Sequence, residues 1–327
     1  MRIIALLIFL TSQMPSFGQK IDYSIPEGYG NDISKDDYKI LVDIAVPIVA
    51  KRYSIDYVKD GTIFLIQGQE MKAMNLHNLI GKCVAVKDKS KWNIVIQGHF
   101  DNLFSSIDEE KKIDPKNYET IKKYLSLRIY PVETVRQRGG ISTLVARKDL
   151  EGTYTLLMLD LPGAFRAVQI QVFSLWGKDT SEVFKIAQEN VNKQQIKKVT
   201  QKFDIDGASV EISFLSNEDY AASYALDLVN NSPELVGEWG SAIAMPNKGI
   251  VDICKISRDK PVDFVKFIQR IQPTIEQSYH QHEQPISDQF FWYYQGHFTR
   301  INVITQADRS INVISPFGLS SLMTEKR

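Results

Sequence analysis

Apolar residues recur along this chain with two periods, and the change from one to the other marks its elements. Leu41, Ile44, Ala45 and Ile48 follow each other at three- and four-residue spacing, which puts them on one face of a helix. Ser34 stands where a side chain can cap that helix, Asp37 takes its third position, and Pro47 is expected to bend its last turns. Residues 62–66, Thr-Ile-Phe-Leu-Ile, read as a strand. Val95, Ile96, His99, Phe100 and Leu103 return to helical spacing. Residues 105–116 are charged and lose that rhythm, so the boundary between an N-terminal region, 19–108, and a C-terminal region, 109–327, is placed there; the two can equally form one continuous domain.

The second half reads as hairpins separated by helices. Residues 141–146 are expected to be a strand, and 153–160 and 165–172 to pair around the turn dipeptide Pro162-Gly163. Asp179 and Glu182 form a capping box ahead of Val183, Ile186, Ala187 and Asn190, which share one helical face. Residues 197–203 and 208–214 read as two more strands, 233–239 as helix-like, and 242–245 and 250–256 as strands around the turn 246–249. A long helix over 261–279 carries Phe264, Ile268, Ile271 and Ile275 on one side, and strands over 290–294, 298–304 and 311–314 close the chain. Strands that follow one another as hairpins, rather than alternating with helices, predict an α+β fold with mostly antiparallel sheets.

The first residues have a separate reading. One positive charge at Arg2, an apolar run from Ile3 to Leu10 and small residues around Gly18 have the layout of a cleaved secretory leader. The run is far shorter than the roughly 20 residues needed to span a bilayer. Residues 1–18 are therefore expected to be removed after Gly18, leaving Gln19 first and a soluble periplasmic or secreted protein. No Cys near that point offers a lipid anchor.

Charge narrows the partners. Lys and Arg number 39 and Asp and Glu 39, so the chain has no net charge to neutralise phosphates. Nucleic acid and anionic membrane surfaces are not expected as partners. In an oxidising compartment Cys83 and Cys254 either form the single available disulfide or stay as small buried hydrophobes, and the sequence favours neither.

Asp160, Leu175-Trp176-Gly177, the helix from Glu182 to Val191 and the run Ala242-Ile243-Ala244-Met245-Pro246-Asn247 resemble the YtpQ-like proteins, a family known mainly as a domain of unknown function. The resemblance spans roughly residues 141–256 and implies no activity and no functional residue. That family is mostly without leaders, a point on which this chain departs from it.

Few residues announce chemistry. Tyr279-His280-Gln281-His282-Glu283, if extended, projects His280 and His282 to one side as metal ligands, with Glu283 or Asp288 as the third, and zinc is the metal such a set would take. A solvated polar loop is the plainer reading. On a strand, Phe290, Trp292 and Tyr294 face one way and Phe291 and Tyr293 the other; Trp292 and Tyr294 could stack a sugar or peptide ligand, or all five rings could be core. Asn190, on the apolar face of its helix, should tie that helix to a neighbouring backbone. Arg136-Gln137-Arg138-Gly139-Gly140 could cradle an anion or be a loop. Asn230-Asn231-Ser232 matches a glycosylation pattern. His77, His99 and His297 are scattered. There is no nucleophile elbow, zinc-protease motif, phosphate loop, dinucleotide fingerprint or EF-hand loop.

The sequence thus leads to an exported, non-catalytic binding or interaction module with a protein, peptide or saccharide ligand. Two alternatives stand beside it: a hydrolase, metal-assisted through His280 and His282, and a structural partner protein of the cell envelope.

Overall fold

A computed structural model of the chain describes residues 20–69, 71–137, 139–162, 164–306 and 310–324. The expected leader, and with it the cleavage position, lies outside these residues. The fold is α+β, with mostly antiparallel sheets and packed helices. The chain divides into two compact units, 1–108 and 109–327.

The first unit is one small sheet backed by three helices. Strands β1 (Lys20–Ile21), β2 (Ile55–Lys59), β3 (Thr62–Leu65) and β4 (Ala73–Asn75) lie side by side in that order; only the β1–β2 pairing is parallel. Helices α1 (Lys35–Ala50), α2 (His77–Ala85) and α3 (Trp92–Glu110) supply the apolar side of the core. Ser34 caps α1 by accepting from Asp37 N at 3.2 Å, which offsets one of the unpaired first-turn donors. Leu41, Ala45, Ile48 and Val49 of α1 meet Ile55, Val58, Ile63, Leu65 and Met74 of the sheet. α3 continues through the charged residues 105–110, so loss of apolar rhythm there marks an exposed helix face rather than a break in the helix.

The second unit contains two sheets. Strands β5 (Leu125–Pro131), β6 (Ala146–Arg147), β7 (Thr153–Leu161) and β8 (Ala164–Ala167) form the smaller one, with β7 pairing all three others. The larger has seven strands in the order β15-β14-β13-β11-β12-β10-β9, where β9 is Lys197–Ile205, β10 Ala208–Ser216, β11 Ser241–Asn247, β12 Ile250–Lys255, β13 Phe290–Tyr294, β14 His297–Thr305 and β15 Ile311–Ile314. Helix α4 (Thr180–Asn192) begins at Asp179, whose carboxylate accepts from the N–H of Ser181 and Glu182. α5 (Asp263–Gln281) and α6 (Phe317–Thr324) follow, and shorter helical turns, among them Tyr118–Ile121 and Ala221–Tyr224, lie between the strands.

The central strands of the seven-stranded sheet are buried on both faces, and β13 shows why five aromatic residues stand in a row. Phe290 and Trp292 pack with Phe264, Phe267, Ile268, Ile271 and Ile275 of α5. Phe291 and Tyr293 point the other way, into a core shared with α4 and the smaller sheet.

Three local expectations differ from the structure. Residues 165–172 leave the sheet after Ala167 and form a helical turn at Ile170–Ser174, where Phe173 N bonds Gln169 O. Residues 141–146 are mostly turn, with a single bridge from Leu144 to Gln169 and a strand only at Ala146–Arg147. Residues 233–239 are helical only over Pro233–Leu235, because the chain then folds through a corner at Gly237 and Gly240. A side-chain Cβ on Gly240 would lie 2.1 Å from Tyr293 O, which no residue but glycine allows.

Candidate functional site

The residues singled out from sequence occupy ordinary structural positions. His280 is in the last turn of α5 and exposed, so it does not share a strand face with His282. His282 follows the helix, half-buried, and its Nδ1 accepts from Gln284 N at 2.9 Å. Burial and the nearby charge of Lys248 push its pKa down. Glu283 is exposed, and Gln289 donates to Asp288 Oδ1 at 2.5 Å. Among the described residues no three His, Cys, Asp or Glu side chains gather as a metal would require.

Trp292 is core and not a binding surface. Its indole N–H donates to Trp239 O at 2.7 Å, its ring stacks on half-buried Tyr294 at 5.0 Å, and Gly318 of α6 packs against it. The disulfide alternative is likewise replaced by two free thiols, each enclosed in the core of its own unit. Burial pushes Cys83 up to about 11 and Cys254 up to about 12. Asn190 donates to the carbonyls of Lys122 and Leu125, the tie its place on the helix implied. Arg136 pairs with Glu133 at 2.7 Å on the surface, and the N–H groups of Gly139 and Gly140 that a cradle would use donate to Arg136 O and Val135 O; Arg138 lies outside the described residues.

Two other features stand out. The first is a group of charged side chains in the second unit, none of them singled out for chemistry from sequence alone. Arg128, at the centre of β5, is only 6% exposed. Its guanidinium lies 3.6 Å from the centre of the Phe165 ring; Nη1 donates to Gln284 Oε1 at 2.6 Å and Nη2 pairs with Asp219 Oδ1. Lys248, in the β11–β12 turn, donates to that same oxygen at 2.7 Å. Burial works against the charge of Asp219, but Lys248 and Arg128 still hold its carboxyl below the ordinary range. Beside them the Tyr220 hydroxyl donates to Asp160. Burial raises the pKa of Asp160 above its ordinary value, and burial with the Asp160 contact raises that of Tyr220. Chemically this is an ion network linking the smaller sheet, the 217–220 turn, the β11–β12 turn and the segment after α5. Its cleft encloses about 10 Å³, room for roughly one water-sized body and for no organic substrate.

The second feature is the outer face of the small sheet in the first unit. A sheet with helices on one side normally carries polar residues on the other. Here Tyr57 and Phe64, cross-strand partners on β2 and β3, stack on that face with ring centres 4.5 Å apart and planes 21° apart. They border a cleft of about 520 Å³, which also takes in Asp56, Ile66, Met71 and Lys72. That volume lies within the usual range for small-molecule sites, roughly 300–1,000 Å³. One wall is fixed by Gln69, whose amide imitates a strand residue: it accepts from Ser54 N at 2.9 Å and donates to Ser54 O at 2.7 Å. Tyr57 also borders a second cleft, of about 660 Å³, with Lys20, Asp22, Asp56 and Lys59. The alternation of β2 and β3 carried the only sequence signal for this face: Ile55, Val58, Ile63 and Leu65 fill the core and leave Tyr57 and Phe64 outside.

No protein-family model, no curated protein and no solved structure matches the chain.

Proposed function

We propose that this is an exported, non-catalytic binding module whose first unit takes a saccharide on the outer face of its small sheet. The observation that carries the reading is the stacked Tyr57–Phe64 pair beside the 520 Å³ cleft. The two half-buried rings, stacked across neighbouring strands, present a joined apolar surface that a ligand can cover. A sugar ring is such a ligand: its C–H face covers an aromatic ring while its hydroxyls reach polar groups at the rim, here Asp56 and Lys72. The site is on the face of the sheet, where a peptide strand has no unpaired backbone to join, and this favours a ring-shaped ligand over an extended peptide. The leader-like residues 1–18 support export, and balanced charge supports an uncharged ligand.

The test is calorimetric titration of the purified protein with neutral β-linked oligosaccharides and with unstructured peptides of matched length. Binding of a saccharide is expected, and Tyr57→Ala and Phe64→Ala should each weaken it roughly tenfold, as loss of one aromatic contact of about 1.4 kcal/mol would. Saccharide binding unchanged in both variants, or binding of peptides alone, would refute the assignment. Terminal sequencing of the protein recovered from outside the cytoplasm should begin at Gln19.

A further inference from the structure

We infer, resting on the saccharide reading above, that the ligand is a linear oligosaccharide lying across the sheet of the first unit, from the loop after β3 to β1, with Tyr57 beneath its middle. The two clefts of this face are not separate, because Asp56 and Tyr57 line both. On one side of Tyr57 is the cleft of about 520 Å³, with Phe64, Met71 and Lys72. On the other is the cleft of about 660 Å³, with Lys20, Asp22 and Lys59. Both are open to solvent, so a chain can pass through rather than end there.

Backbone register explains why these two residues serve both clefts. Ile55 pairs with Leu65 and Tyr57 with Phe64, so β2 holds one residue more than β3 between those pairs. In a regular strand Ile55 and Val58 could not share a face; the bulge lets both enter the core and leaves Asp56 and Tyr57 together outside it. Across the parallel pairing, Lys20 stands opposite Tyr57 and Ile21 opposite Val58, so Lys20 shares the outer face while Ile21 packs inward. From β1 to β3 that face spans two strand spacings, about 10 Å, and the loop after β3 lengthens it. One sugar ring covers only part of such a track. The groups along it suit an uncharged chain. Asp56, Lys20 and Lys72 are exposed and have neither hydrogen bond nor ion pair among the described residues. Asp22 is held at the rim by Ser24 N at 2.8 Å, and Lys59 lies 3.8 Å from Asp60. Carboxylates only accept and ammoniums only donate, whereas each sugar hydroxyl does both and can meet either in turn.

The experiment titrates the whole protein with cello-, laminari- and chito-oligosaccharides, each from the disaccharide to the hexasaccharide. In the series that binds, affinity should rise about tenfold or more from disaccharide to tetrasaccharide, as the second cleft fills. The double variant Lys20→Ala, Lys59→Ala should lose that gain while keeping the affinity for the disaccharide and the melting temperature of the native protein. Asp56→Ala, which touches both clefts, should weaken every length. The tetrasaccharide should also protect Lys20 and Lys59 from an amine-acetylating reagent, and the disaccharide should not. Equal affinity at every length, or a gain that survives in the double variant, would overturn the inference and leave the saccharide reading standing. No binding at any length in all three series would overturn both.

Discussion

Asp252 offers a direct measure of what burial costs in this fold. It lies in the middle of β12, opposite Phe214 on one side and Ala244 on the other, and is 6% exposed. It shares a face with Cys254, within the core beneath α5. Neither hydrogen bond nor ion pair compensates it among the described residues. Burial alone pushes its pKa from 3.8 to about 7. The folded protein therefore holds this proton where the unfolded chain has released it, so stability falls as pH rises from about 4 to about 7 and is level beyond. At about 1.4 kcal/mol for each pH unit between those two values, the loss is about 4 kcal/mol. Asp252→Asn keeps the shape of the protonated acid and cannot ionise. It should match the native protein near pH 4 and exceed its stability by about 4 kcal/mol at pH 8. Urea unfolding followed by tryptophan fluorescence across pH 4–8.5 reads this, since three of the four tryptophans, Trp176, Trp239 and Trp292, lie in the second unit, and Trp92 of the first gives the same background in both proteins. His99 and His282, whose pKa values burial lowers, contribute with the opposite sign but equally to both proteins, and so cancel in the difference. Parallel stability curves for the two proteins would show that Asp252 is not desolvated as described.

Three further outcomes follow from single contacts. Gly240→Ala should cost 3 kcal/mol or more, in the range of severe backbone conflicts, because its Cβ would collide with Tyr293 O at a φ of +81°, whereas Gly98→Ala, with open space in α3, should stabilise by up to about 1 kcal/mol in the same denaturation assay. Neither cysteine should react with a thiol reagent in the native protein and both should react in guanidinium, with intact mass unchanged by reductant; one bridged pair would contradict this. Asn190→Leu should lower stability by about 1–3 kcal/mol, since it removes the half-buried amide that ties α4 to the carbonyls of Lys122 and Leu125.

Local signals were sufficient where the cause was local. The caps at Ser34 and Asp179, the apolar stripes of α1 and α5 and the hairpins of the larger sheet depend on neighbours a few residues away, and the chain states them openly. The α+β class follows from their order. The run Phe290–Tyr294 was readable as a strand, but its two-sided burial needed helices and strands from distant parts of the chain.

Tertiary structure alone decided which polar residues matter. In Leu-Ser-Leu-Arg-Ile-Tyr-Pro, Arg128 occupies the polar side of an alternating strand, and nothing nearby distinguishes it from a solvated arginine. Asp219 and Gln284, 91 and 156 residues further on, are what bury and bind it. The Tyr57–Phe64 stack likewise requires the β2–β3 register, bulge included, before two isolated aromatic residues become one surface. Conversely, the conspicuous histidines lost their shared face because α5 runs through His280, a helix end set by packing as much as by sequence. Helix and strand preferences act over a few residues and can be read from them; charge burial and side-chain convergence are properties of contacts between segments, and only the folded chain contains those.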